Sequence, residues 1–303
     1  MAKTVLLLGD TSHPEIQLLQ RHLSSAGAKR LILDTAQFAK QFHMSWSVSR
    51  NSGVLHSSQG HYAFEDIDSA FWFRYSLPAN EATTMQTQKD YQAMLGTLLA
   101  CKSINWCNNV EAIRYHQQKP VQLAHASQLG LITPPTYIGN HVDQAWAFVQ
   151  SHESLICKPV HGGRHTIQIR RNEVSVTDIK QMVSQSPLTF QRFIEGTNIR
   201  TYVIGDSVLS AEIRSRATDF RTDSSARLLA HTLPDVTAQQ AIDVCRAFGM
   251  QWTAIDWRFT PEGEYVFLEA NPAPCFAEFE RQSGHPVSYL LAQMLLSPKS
   301  NKV

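Results

Sequence analysis

Near the C-terminus, two runs of strand-forming residues carry acids among hydrophobic neighbours: Trp252 to Phe259 (WTAIDWRF) and Glu264 to Glu269 (EYVFLE). Pro261-Glu262-Gly263 lies between them, so the pattern predicts an antiparallel hairpin. Residues two apart on a strand leave the same face, which puts Glu269 and Asn271 side by side, and Asp256 on the partner strand reaches that face too. Two carboxylates and an amide oxygen are hard oxygen donors, a set suited to Mg2+ that leaves room for phosphate oxygens and water. Burying these groups beside Val266, Phe267 and Leu268 without a cation is costly. A solvated hairpin rim is the plainer alternative, but Asn271-Pro272 directly after the acid is a poor way to continue a surface strand.

The rest of the chain reads as a scaffold around that hairpin. Val5 to Leu8 is a continuous apolar run closed by Gly9-Asp10, the pattern of a buried parallel strand. Ile16, Leu19 and Leu23 share one face of a helix predicted over 14–26, with Gly27 as its cap, and Leu31 to Leu33 repeats the strand signal. Strand, helix, strand at this spacing opens an α/β layer. Ala70 to Tyr75 adds a strand and Tyr91 to Cys101 a helix, so residues 1–110 are expected to form a small α/β domain. Beyond them, a helix over 121–129 stops at Gly130. Short strands are predicted over 155–158, 166–170, 173–176, 188–194, 200–204 and 208–213, the last two joined as a hairpin at Gly205-Asp206. Helices follow over 238–248 and 286–296. The expected class is α+β with an α/β start.

Composition narrows the classes of partner. Of 303 residues, 43% are hydrophobic and 17% charged, which describes a globular chain of two or three modules. A net charge of +1 gives no electrostatic reason to expect nucleic acid or an anionic membrane. Cys101, Cys107, Cys157, Cys245 and Cys275 include no CxxC pair, so a disulfide framework is not expected. The apolar run before Gly9 is too short for a signal-peptide core, and no stretch approaches the roughly 20 apolar residues of a membrane span. A cytoplasmic location is the expectation. The 13 histidines form no HExxH motif and no Cys/His cluster at zinc spacing.

Several cations are placed to meet a polyanion. Lys158 ends the apolar run Leu155-Ile156-Cys157 and is held there by Pro159. Lys119 stands where a helix begins at Pro120, an end whose backbone N–H groups already favour anions. Arg200 sits on a predicted strand, and Arg221 follows Asp219-Phe220. A lone lysine is ordinarily a surface cation; the company of Gly162-Gly163 and the acidic hairpin changes that, because a glycine loop lets backbone approach phosphate closely. Gln191-Arg192-Phe193-Ile194-Glu195-Gly196 is an extended stretch that can offer main-chain groups to an adenine edge and Glu195 to ribose hydroxyls.

In this order the motifs resemble the ATP-grasp superfamily, and within it the RimK-like branch that contains graspetide (microviridin-type) peptide ligases. The matching stretches are Gly9-Asp10 with His13-Pro14, Phe71 to Tyr75, "KPVQLAHASQLGLITPPT", "CKPVHGG", "QRFIEGTNIRTYVIG", "EIRSRATDFR" and "AIDWRFTPEGEYVFLEANP". The resemblance implies a small N-terminal α/β domain (1–110), a central lid (111–190) and a C-terminal subdomain with the metal site (191–303), clasping ATP. It implies Lys119 and Lys158 on the ATP phosphates under the Gly162-Gly163 lid, and Gln191, Arg192, Phe193 and Ile194 on the adenine. Glu195 or Asn198 would take the ribose, although Asn198 stands where relatives often carry an acid. Arg200 and Arg221 would meet the γ-phosphate or acyl-phosphate, and Asp256, Glu269 and Asn271 would hold one or two Mg2+ ions.

The activity implied is ATP-dependent ligation of a carboxylate to an amine or hydroxyl through an acyl-phosphate, on Asp or Glu side chains of a precursor peptide, by a homodimer. A ligase of free amino acids or another small carboxylate is the rival within enzymes. A non-catalytic nucleotide-binding regulator is the rival outside them, and the complete set of metal ligands and phosphate cations speaks against it. After Asn271 the chain reads Pro-Ala-Pro-Cys-Phe-Ala-Glu-Phe-Glu, not the glycine- and Trp-containing segment usual in graspetide ligases.

Overall fold

The computed structural model describes residues 2–79, 84–161, 166–215 and 225–297. Its first layer is a four-stranded parallel sheet in the order Lys29–Leu33, Thr4–Leu8, Ser69–Trp72, Asn105–Cys107. Every residue of Thr4–Leu8 is buried, as a parallel strand covered on both faces requires. On one face, Val5, Leu7 and Phe71 meet Ile16, Leu19 and Leu23 of the helix Pro14–Ser25 and Leu291 of the helix Val287–Leu296. On the other, Leu6, Leu8 and Leu31 meet Leu95 and Leu98 of the helix Met85–Leu99. Phe42, Leu55 and Tyr62 of a three-stranded antiparallel meander, Phe42–Ser47, Ser52–Ser57 and Gly60–Ala63, complete that second face.

The largest sheet is antiparallel, ordered Arg227–His231, Ser207–Arg214, Thr197–Ile204, Trp252–Phe259, Tyr265–Asn271. One face carries the helix Asp235–Ala247 over Ile199, Ile255 and Phe267. The opposite face shares its core with the first layer: Tyr202, Trp252 and Phe276 pack in one cluster with Phe71, Phe73 and Ile16. This continuous apolar contact fixes the two sheets relative to each other. A fourth sheet, antiparallel, runs Ile167–Arg170, Ser154–Pro159, Leu188–Arg192, Thr136–Gly139, backed by the helices Val142–Gln150 and Val176–Gln185. The α+β architecture with a parallel first layer is as the sequence predicts.

Two local expectations fail. Residues 173–176 are not a strand: the chain makes a 3-10 turn at Arg171–Glu173 and enters the helix Val176–Gln185. Ser175 and Asp178 form a reciprocal capping box there, and Ile179 and Val183 bury one face, so end chemistry and 3.6-residue spacing override the valine pair's strand preference. The strand expected over 70–75 stops at Trp72.

Candidate functional site

Three charged side chains lie in one row across adjacent strands of the large sheet. Arg200 on Thr197–Ile204 is in register with Asp256 on Trp252–Phe259, and Asp256 is in register with Glu269 on Tyr265–Asn271. The register slips by one residue just beyond, where Trp257 pairs with Phe267, leaving Leu268 as a bulge. The bulge resolves a conflict that strict alternation would create: Phe267 enters the core beneath the helix Asp235–Ala247, while Glu269 stays opposite Asp256 on the other face. Asn271, two residues on, shares that face, and its Oδ1 accepts the Ala273 N–H at 3.0 Å.

Each acid is met by a cation. Arg200 donates Nε and Nη2 to the two oxygens of Asp256, both at 2.7 Å, a bidentate pair with both side chains mostly buried. Lys119 donates Nζ to Glu269 Oε2. Burial alone would raise the Glu269 carboxyl, but the Lys119 ion pair and the field of Lys158 outweigh it and hold the group at about 2. Burial pulls the Arg200 guanidinium down, yet the Asp256 carboxylate reverses this and raises it. His116 is pushed down by burial and by Lys119, and its Nδ1 lies 2.8 Å from Ala270 O. Lys158 donates to Gln191 Oε1 at 3.3 Å, and the buried Gln191 amide continues to Thr136 Oγ1 at 2.9 Å, which fixes the direction of the lysine.

Lys119 arrives there because its helix is fastened to the sheet edge. Tyr265–Asn271 is the last strand, so one side of its backbone has no strand neighbour. Gln122 replaces one: its Nε2 donates to Ala270 O and its Oε1 accepts the Ala270 N–H, both at 2.9 Å. Further along, Phe267 N–H donates to Ile132 O at 2.8 Å. Gln122 lies three residues from Lys119 in the helix Lys119–Gln128, so the amide that seals the edge also aims the lysine.

The stretch 191–198 is placed by Arg258, which donates Nε to Ile194 O and Nη1 to Asn198 Oδ1, each at 2.9 Å, with its guanidinium 5.7 Å from the Phe193 ring centroid. Gly196 has φ of +130°, and a Cβ there would sit 2.0 Å from Phe259 O, so only glycine allows this segment to cross so near the sheet. Arg192, Glu195 and Ile132 border a hollow of about 200 Å³ beside this crossing, which Glu262 and Glu264 make acidic. Gly162, Gly163 and Arg221 lie outside the described residues.

Of the residues singled out in the sequence, Lys119, Lys158, Gln191, Arg200, Asp256, Glu269 and Asn271 come to one cleft. Phe193, Ile194 and Asn198 are brought to Arg258 beside it. Gln122, Arg258 and His116 were not singled out. Gln122 and His116 carry no motif, and Arg258 alternates with Asp256 on its strand, a spacing that could have indicated it. Chemically, the cleft offers adjacent hard oxygen donors flanked by three cations, an arrangement able to hold a divalent ion together with a polyphosphate.

Comparison with known proteins agrees with this geometry. The model of the RimK-like ATP-grasp domain matches residues 119–295. Beta-citrylglutamate synthase B of Danio rerio is 25% identical over 181 residues, covering 55% of this chain and 44% of that protein. The chain thus spans less than half of that relative's length. In structure, the Chryseobacterium gregarium RiPP-associated ATP-grasp ligase in complex with ADP and a leader and core peptide superposes with a TM-score of 0.89 at 19% identity, covering 99% of both chains. Macrocyclase MdnC bound with precursor peptide MdnA, from Microcystis aeruginosa MRC, superposes with a TM-score of 0.86 at 20% identity over 97% of this chain and 99% of that one. The family match covers the helix that bears Lys119, the four-stranded antiparallel sheet and the whole acidic hairpin, and this chain belongs to the RimK-like ATP-grasp family.

Proposed function

We propose that this protein is an ATP- and magnesium-dependent carboxylate ligase that activates a carboxylate as an acyl-phosphate and joins it to an amine or hydroxyl. The observation that carries the reading is the Arg200–Asp256–Glu269 row, closed from above by Lys119 and Lys158. The donor set fits the cofactor: two carboxylates directly paired on neighbouring strands would repel strongly without cations, and Asn271 Oδ1 keeps a lone pair beyond its bond to Ala273. Asp256, Glu269 and Asn271 would hold magnesium, which when bound offsets the repulsion between phosphate and an approaching carboxylate. Lys119 and Lys158 would turn to the phosphates, with Gln191 limiting the swing of Lys158. Arg200 would keep one face on Asp256 and present the other to the transferring group. Ile194 and its neighbours, held by Arg258, would take the adenine. Gly162, Gly163 and Arg221 enter this reading from the sequence match alone, as lid and fourth cation.

For substrate, we infer Asp or Glu side chains of a ribosomally made precursor peptide. The full-length likeness to ligases solved with precursor peptides supports this, while the likeness to Beta-citrylglutamate synthase B, named for a glutamate conjugate, supports a small amino-acid substrate as the rival. Incubation with ATP, Mg2+ and either a candidate precursor peptide or glutamate with small carboxylates, followed by mass spectrometry, separates the two. Loss of one water per bond formed within the peptide is the expected result. Glutamate added to a small carboxylate, with peptides untouched, would replace the peptide reading. ATP turnover with neither would remove both.

A further inference from the structure

The outer face of the meander carries a row of histidines. His43 on Phe42–Ser47 is in register with His56 on Ser52–Ser57, and His56 is in register with His61 on Gly60–Ala63. Directly opposed residues share a face, and this one looks to solvent: His43 and His61 are exposed and His56 is half-buried. Leu55 and Tyr62 on the other face are buried against the parallel sheet, so the strands beneath the row are fixed. The turn that joins the last two strands is tied down as well. Tyr62 Oη donates to Gln59 O at 3.0 Å, and Gln59 Nε2 donates to Ile32 O of the parallel sheet at 3.1 Å.

On this base two imidazoles meet. His56 Nδ1 and His61 Nδ1 lie 2.8 Å apart, with ring centroids 4.9 Å apart and planes at 66°. Two bare nitrogens at that distance would repel and two protonated ones would clash, so the pair holds one proton between them. An ion replacing this proton can take both nitrogens as ligands. With metal–nitrogen bonds of about 2.0 Å, a 2.8 Å separation subtends about 90°, whereas tetrahedral zinc would need about 3.3 Å. Right-angled nitrogen donors suit Cu2+ and Ni2+. The second nitrogen of His56 is also provided for, since its Nε2 lies 3.1 Å from Ser45 Oγ. With both Nδ1 atoms on an ion, His56 carries its proton at Nε2 and donates it to Ser45, the outer bond that metal-bound imidazoles commonly have.

We propose that His56 and His61 form a chelating site for a divalent transition ion, Cu2+ or Ni2+, with Ser45 orienting His56. Among the described residues no group of three or more such side chains is placed to hold an ion, so water completes the coordination. The site is separate from the acidic cleft in place and in chemistry. The meander covers the face of the parallel sheet opposite the one shared with the large sheet. Magnesium takes oxygen donors, while imidazole suits the later transition ions. A bound ion would staple Ser52–Ser57 to Gly60–Ala63 and stabilise the first layer, independently of the ligase reading.

The test is calorimetric titration of NiCl2 into the full chain, free of any histidine tag, in excess Mg2+ to occupy oxygen-donor sites. One Ni2+ should bind per chain. His56→Gln and His61→Gln should each weaken it by about tenfold or more, the cost of losing one of two ligands. Ser45→Ala should weaken it less, and His43→Gln should leave it within about twofold, since that ring is not one of the ligands. Ni2+ should also raise the thermal midpoint of the parent protein and leave that of His61→Gln unchanged. His61 is exposed, so this variant keeps its fold, which matching far-UV circular dichroism checks. Ni2+ binding of equal strength in His61→Gln, an equal loss in His43→Gln, or no binding by the parent protein would each overturn the site.

Discussion

Replacing Gln122 with leucine tests whether the edge of the large sheet is sealed by a side chain and whether that seal places Lys119. The glutamine is 1% exposed and exchanges two 2.9 Å hydrogen bonds with the backbone of Ala270. Leucine has similar bulk and removes both. Ala270 O keeps His116 as a donor, so the substitution orphans one buried group, the Ala270 N–H. An orphaned buried donor costs about 1–3 kcal/mol, and the second lost bond adds about 0.5–1.5 kcal/mol, for an expected loss of about 1.5–4.5 kcal/mol in urea denaturation. Because Lys119 is one helical turn away, the Michaelis constant for ATP should rise several-fold in the same variant. Gln122→Glu should cost more than leucine, since it buries a carboxylate whose second oxygen faces the Ala270 carbonyl with nothing to donate. A change of less than about 0.5 kcal/mol for Gln122→Leu would show that the edge is held by other contacts. Unaltered ATP dependence would separate the seal from Lys119.

Gly196→Ala should destabilise the protein by about 3 kcal/mol or more, because its Cβ would meet a backbone oxygen at 2.0 Å in a left-handed conformation; near-parental stability by thermal denaturation would contradict that crossing. Acid sensitivity should trace to Glu269. Its folded value of about 2 lies below the ordinary 4.5, so its contribution to stability is present above about 4.5 and is lost as pH falls from there toward 2. Lys119→Met should therefore give a shallower fall of unfolding free energy across that window than the parent protein, and identical slopes would count against the pair.

Much of the scaffold can be read from the residues. The buried run Val5 to Leu8 and the acidic hairpin announce their strands because a continuous apolar stretch and an acid within one have few other uses. The meander over 42–63 is not legible in the same way. Its open face carries serines and histidines and its inner face mixes Met44, Trp46 and Gly53, so alternation is faint until Phe42, Leu55 and Tyr62 are seen against the parallel sheet. The capping box at Ser175 was available in the sequence and outweighs the strand preference of its neighbours. For the cleft, the residues bearing charge are legible and the ones placing them are not. Arg258, Gln122 and the Leu268 bulge act through register and edge position, which exist only once strands are paired.

Calorimetric titration of ADP, with and without Mg2+, into the parent protein and Glu269→Gln addresses the cleft most directly. The substitution preserves size and removes the charge that Lys119 now holds. In the parent, Mg2+ should tighten ADP binding. In Glu269→Gln that tightening should shrink by at least about tenfold, while affinity without Mg2+ stays equal or improves because Lys119 is released to the phosphates. The same Mg2+ dependence in both proteins would mean that the acidic hairpin does not hold the metal.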